Sequence, residues 1–282
     1  MKTQLKNIFA VLFMALALTS CSDSDDNSPI NELEGLTKFQ EMTNTTHTIE
    51  LYSHAGALVQ GYNEVKLRIK DNVTNQYIKN ATVSWMPIMH MTMMNHSCPN
   101  SDVDKIAADG TLYEGYIVFQ MPQNDTEYWD LKVDYTIDGV DYSTTSVIDV
   151  PASTKRTVNT FMGSDNVKYI VAYAEPHHPK VAVNDMVVGV WKMQDMMTFP
   201  VVDGYTLKID PRMPSMGNHT SPNNVHATQT TAGDLYNGKL SLTMTGYWKI
   251  NLQLAKPDGT IVKGEEITET VTASSIFFEI EF

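Results

Sequence analysis

Six landmarks recur in the same order along this 282-residue chain, and that repeat constrains its fold more than any other feature. Tyr52 and Asn63 are followed, at the same separation, by Tyr173 and Asn184. Each asparagine opens a strand-like run, Asn63-Glu64-Val65-Lys66-Leu67 and Asn184-Asp185-Met186-Val187-Val188. Met86-Pro87-Ile88-Met89 is matched by Met213-Pro214-Ser215-Met216, and Tyr113-Glu114-Gly115 by Tyr236-Asn237-Gly238. Trp129 answers to Trp248, and Asp138-Gly139 to Asp258-Gly259. An Asp-Gly pair between strands suits a type I′ hairpin turn, whose two central residues both need positive φ. The expectation is a duplicated module, with the boundary near Pro151 to Lys155.

The module is β. Short β-branched and aromatic runs such as Val65 to Ile69, Tyr116 to Phe119, Leu131 to Tyr135, Val187 to Trp191 and Leu240 to Met244 are separated by Gly, Asn, Asp and Pro clusters. That spacing is the spacing of a sandwich. No segment sustains a 3.6-residue period between caps, so the class is all-β. The modules are expected over 46–150 and 166–282, joined by a linker over 151–165.

Ahead of them, Met1 to Lys6 is basic and Ile8 to Leu18 is an apolar run of signal-peptide length. A transmembrane helix needs about 20 apolar residues, so this run is short for one. Leu18-Thr19-Ser20-Cys21 resembles a bacterial lipobox. By that resemblance 1–20 is a lipoprotein signal peptide, cleavage precedes Cys21, and the Cys21 thiol carries lipid. The competing reading is an ordinary signal peptide with a chance cysteine. Ser22 to Pro29 is polar and acidic, and 21–45 is expected to be a disordered tether. An acidic cluster behind a lipidated cysteine is similar to the surface-export signal of Bacteroidota lipoproteins. The expected setting is the bacterial cell envelope, lipid-anchored at the outer membrane, on its periplasmic or its surface face.

Net charge is −13. Such a surface repels phosphate backbones, and no basic stripe is interleaved with aromatics, so nucleic acid is not an expected partner. An acidic surface attracts cations, and equally serves solubility.

Met86 to Cys98 holds five methionines, two histidines and a cysteine in thirteen residues. A core does not need that composition, because Leu, Ile and Val pack with better-defined rotamers. It supplies thioether, imidazole and thiol donors, and soft sulfur selects Cu(I). With Cys21 lipidated, Cys98 has no intrachain partner, which leaves it buried, modified or metal-held; its place in the cluster favours metal. If Trp85 to Met94 is extended, Pro87, Met89, Met91 and Met93 share one face and His90, Thr92, Met94 and His96 the other. Pro87 is expected to end ladder pairing and leave a loop beyond it. The competing reading is that Met89, Met91 and Met93 continue the inward face of Val83 and Trp85. The candidate donors are Met86, Met89, His90, Met91, Met94, His96 and Cys98, of which three or four suffice for one ion. In the second module they are Met213, Met216, His219 and His226. Met193-Gln194-Asp195-Met196-Met197 reads as a further donor group or as a hairpin with coincidental methionines. Glu175-Pro176-His177-His178-Pro179 lies where the region of His54 lies in the first copy, and is a lesser candidate. His47 has no functional reading.

An early Tyr, an Asn-led strand, a Met-Pro-x-Met loop followed by His, a Tyr-x-Gly strand and a late Trp resemble the YtkA-like family, across both modules. The resemblance implies small immunoglobulin-like extracytoplasmic sandwiches associated with copper handling and membrane-linked assembly factors. Many members carry a tighter Met-Pro-x-Met-Gly-His. Met216-Gly217-Asn218-His219 departs from it mildly, and His90 to Met94, inserted before His96, departs more. The mature chain has no GxSxG, HExxH, Walker A or GxGxxG, so catalysis is not expected. The reading is a lipid-anchored Cu(I) binder of two tandem immunoglobulin-like β-sandwiches. It would chaperone, buffer or deliver copper to an accepting protein or membrane complex. The alternatives are a metal-free surface module binding protein or glycan through Trp85, Trp129 or Trp248, and an assembly subunit that docks through its Met loop.

Overall fold

A computed structural model describes residues 31–282. The expected signal peptide, Cys21 and the acidic segment Ser22 to Pro29 lie outside the described residues. Glu32–Phe282 forms one compact unit, all-β and built from two sandwiches.

The first sandwich contains β1 (Thr37–Thr43), β2 (His47–Ser53), β3 (Gly61–Asp71), β4 (Thr82–His90) and β5 (Asn95–His96). It continues with β6 (Asp104–Lys105), β7 (Tyr113–Phe119), β8 (Tyr128–Ile137) and β9 (Val140–Ile148). One antiparallel sheet has the order β1-β2-β3-β7-β6 and the other β5-β4-β8-β9. Strict alternation along the strands places Ile49, Leu51, Val65, Leu67 and Ile69 of the first sheet against Val83, Trp85, Leu131 and Val133 of the second. All are buried, and each such side chain contributes roughly 1.5–3 kcal/mol of burial.

The second sandwich contains β10 (Val158–Met162), β11 (Lys168–Glu175), β12 (Val183–Lys192), β13 (Thr206–Met213) and β14 (His219–Thr220). Then come β15 (Val225–Thr228), β16 (Tyr236–Ser241), β17 (Tyr247–Ala255), β18 (Ile261–Lys263) and β19 (Phe277–Glu281). Within it the run β10-β11-β12-β16-β15 repeats the order β1-β2-β3-β7-β6, and β14-β13-β17 repeats β5-β4-β8, but here β15 also pairs β13 and joins the two halves into one ten-stranded sheet.

The repeated residues repeat their work. The Asn63 side chain accepts from the Val59 N–H and donates to the Val59 and Gly61 carbonyls. Asn184 does the same to Lys180 and Ala182. The indole N–H of Trp129 donates to the Met121 carbonyl at 3.1 Å and that of Trp248 to the Met244 carbonyl at 3.0 Å. At Gly115 and Gly238 another stretch of backbone passes so close that a Cβ would stand 2.7 Å from a carbonyl oxygen, of Asp102 and of Val225 respectively.

Several expectations need correction. The tether expected over 21–45 ends earlier, because β1 is a sheet strand whose Met42 enters the core. The linker expected over 151–165 contains β10, held by Val158 and Phe161. Asp138 and Gly139 both take positive φ, 49° and 80°, as a type I′ turn needs, but of the second pair Gly259 alone does. The Met-Pro repeat is also out of register. Pro87 pairs with Leu131 and Met89 with Trp129, two residues before it. Pro211 pairs with Ile250, two residues after Trp248. The counterpart of Met86 to Met89 is therefore Asp210 to Met213.

The two sandwiches meet on a third apolar cluster. Val118 of β7, with Tyr62 and Tyr116 beside it, packs on Val158, Ile170, Ala172, Trp191 and Phe199. β11 is consequently buried on both faces: Tyr169, Val171 and Tyr173 enter its own core while Ile170 and Ala172 face the seam.

Candidate metal site

The methionine cluster folds as a hairpin. β4 runs through Pro87 to His90, because Pro87 lies where the strand has β8 on one side and β5 joins the other only at Met89 and His90. Its missing N–H therefore breaks no rung. Met91 to Met94 form the tip, closed by the Met91 N–H donating to the Met94 carbonyl at 3.0 Å.

Strand parity then divides the candidate donors. Met89 is fully buried, continuing the inward face of Val83 and Trp85. Met86 is on the outer face, its sulfur accepting from the Ser97 hydroxyl at 3.5 Å. His90 is also outward, its Nε2 2.7 Å from Asp130 Oδ2 and its ring stacked on Tyr128. Cys98 lies in the sandwich core with no exposure. Burial pushes its thiol well above the ordinary range, a backbone hydrogen bond from Val118 opposing only in part. It is a packed thiol, remote from thiolate chemistry. Met93, at the tip, is 88% exposed.

Met91, Met94 and His96 do converge. They line a cleft of about 270 Å³ at the seam, with Gln120 and Met121 from the β7–β8 connection. Its other wall belongs to the second sandwich: Thr160 of β10, Lys168 of β11, and Met193 and Met196 from the β12–β13 connection. Five thioethers and one imidazole thus face one space without a carboxylate.

Each donor is held in place. The Nδ1 of His96 lies 2.7 Å from the Ser97 carbonyl and so carries the proton, leaving Nε2 with the lone pair that a metal needs. Trp129 meets the His96 ring edge-on at 5.6 Å and pins Met121 through its indole N–H. The Met193 N–H donates to the Lys168 carbonyl at 2.9 Å, and Asp195 accepts from the Met197 N–H at 2.7 Å. One bond crosses the seam beside them: the Ser97 N–H donates to the Met196 carbonyl at 2.8 Å.

The second-module candidates stay apart from this cleft. Met213 is buried in its own core, whereas Met216 and His219 are exposed around the turn. His226 Nδ1 accepts from the Ile209 N–H at 3.2 Å, which puts the neutral ring's proton on Nε2 and leaves no outward lone pair. His54, His177 and His178 line a different seam cleft, of about 700 Å³, with His177 Nε2 3.3 Å from Glu175. Among the described residues, no three His, Cys, Asp or Glu side chains group so as to hold a metal ion. A metal here depends on thioethers.

Among the cleft methionines, Met121 carried no signal in the sequence, whereas Met193 and Met196 belong to the Met193 to Met197 run that reads either as a donor group or as a hairpin with coincidental methionines. Trp85, Trp129 and Trp248 are all buried, so an exposed aromatic patch cannot be built from them. Comparison with protein-family models and with curated proteins gives no match.

Proposed function

We propose that this chain binds Cu(I) in the seam cleft and buffers or delivers it, as a binder rather than an enzyme. The observation that carries the reading is the convergence of five methionines with the lone-pair nitrogen of His96 in a space free of carboxylates. Thioethers are neutral soft donors, individually weak, so several must gather to hold an ion and each exchanges readily. Lys168 strengthens the preference for low charge. It is the charged residue of the lining, and the described residues offer it no ion-pair partner. A divalent ion meets twice the Coulomb repulsion from it that a monovalent ion does.

Delivery needs an approach for the acceptor. Met93, Met94, Met196 and Met197 are exposed around the cleft, a rim that an accepting protein or membrane complex could engage sulfur to sulfur. The same exposure favours the second reading, a metal-free docking surface. The lipid anchor at Cys21, an envelope location and kinship with the YtkA-like family complete the proposed setting.

X-ray absorption at the copper edge tests the reading. The loaded chain should show a shell dominated by sulfur with about one nitrogen scatterer. A shell of oxygen and nitrogen alone would contradict it.

A further inference from the structure

We infer that the metal site is shared between the two sandwiches, with Met193 and Met196 as ligands, so that the ion straps the sandwiches together and leaves when the seam opens. This rests on the Cu(I) reading.

Three observations carry it. The donors stand on both walls: Met91, Met94, His96 and Met121 on the first sandwich, Met193 and Met196 on the second. Met193 and Met196 form the wall that stands across the cleft from the first-sandwich donors. Next, His96 and Met196 are coupled through the Ser97–Met196 backbone bond. The bonded amide belongs to the residue next to His96, so parting the sandwiches parts these two donors directly.

The seam is also thinly packed. Its cluster has six buried members among the described residues, against 21 and 23 in the two sandwich cores. Two further clefts, of about 660 and 700 Å³, are lined by residues of both sandwiches. Interfaces of this kind inside one chain permit relative motion, and a ligand that prefers the docked form shifts the balance toward it. An ion present at about 100 times its Kd, and bound by the docked form alone, multiplies the docked-to-open ratio roughly a hundredfold. Because the open form does not hold the ion, opening releases it, which gives an acceptor a route to the cargo.

The test is amide hydrogen exchange on the full chain, with and without Ag(I) as a redox-stable probe, beside competition for Cu(I) against a chromophoric chelator. Loading should slow exchange at least tenfold at Ser97 and along Val158–Met162 and Tyr116–Phe119, and leave unchanged the Tyr135–Tyr142 end of the β8–β9 hairpin, which lies at the opposite end of β8 from Trp129. Met193→Leu with Met196→Leu, a volume-conserving pair of changes, should weaken Cu(I) at least tenfold and abolish that protection. If the wild type takes Cu(I) but neither its affinity nor the seam exchange responds to the double variant, the shared site is wrong and a hairpin site stands. If the wild type fails to take Cu(I), the Cu(I) reading falls and the strap with it.

Discussion

His96 and His226 show how one hydrogen bond decides what an imidazole can do. His96 donates from Nδ1 and keeps a lone pair on Nε2; His226 accepts at Nδ1, which puts its ring proton on Nε2. Cys98 makes the same point by burial. Reagent thiol exchange should be slow in the native chain and fast once unfolded. Cys98→Ser should cost about 1–3 kcal/mol, since it places a hydroxyl in an apolar core, with Cu(I) affinity unchanged. Denaturant titrations with and without copper separate the two effects, and loss of affinity without loss of stability would return Cys98 to the site. His47 sets a pH dependence. Desolvation holds its imidazole below the ordinary range, with Asp71 opposing. Between that lowered value and about 6.5 the unfolded chain binds more protons, so stability is full above about pH 7 and falls on acidification. Urea midpoints at pH 7.5 and 5 should fall less for His47→Gln than for the wild type; parallel falls would exonerate His47. The composition of Met86 to Cys98 pointed to soft-metal chemistry, but which of its side chains turn inward depends on strand parity and on where the hairpin ends. Met91, Met94 and His96, which the composition singled out, do line one cleft. The core positions of Met89 and Cys98 were masked by their neighbours.

At the scale of elements, the landmarks were readable because each does a local job twice. The asparagines clamp the turn before a strand, the tryptophans tie down the preceding connection, and Gly115 and Gly238 admit a crossing backbone. Gly115→Ala should therefore cost about 1–3 kcal/mol. Its Cβ would stand 2.6 Å from the Trp85 ring and 2.7 Å from both the Asp102 carbonyl and Ser101 Oγ. Denaturant unfolding measures this, and a neutral outcome would mean that the crossing segment moves aside. The Met-Pro pair misled because Met213-Pro214 resembles Met86-Pro87 by composition while the ladder puts Asp210-Pro211 in that place. Likewise β1 and β10 are edge strands: β1 buries Met42 alone, and β10, though Val158, Asn159 and Phe161 are buried, is only five residues long, so their patterns read as tether and linker.

The whole molecule adds what neither half contains. The unbroken apolar run Tyr169 to Ala174 is the signature of a strand covered on both faces, and here the second cover is the other sandwich. The cleft arises from that packing, with donors drawn from the β4–β5, β7–β8 and β12–β13 connections. Local sequence holds no record of such a meeting, so Met121, and the choice of the donor reading over the hairpin reading for Met193 and Met196, enter the candidate site only in three dimensions. The direct measurement is Cu(I) competition against a chromophoric chelator on three proteins side by side. These are the wild type, Met91→Leu with Met94→Leu, and Cys98→Ala with Met213→Leu. The wild type and the core variant should compete equally, while the cleft variant loses at least about tenfold, roughly 1.4 kcal/mol. Loss confined to the core variant, or no competition by the wild type, would contradict a methionine site at the seam.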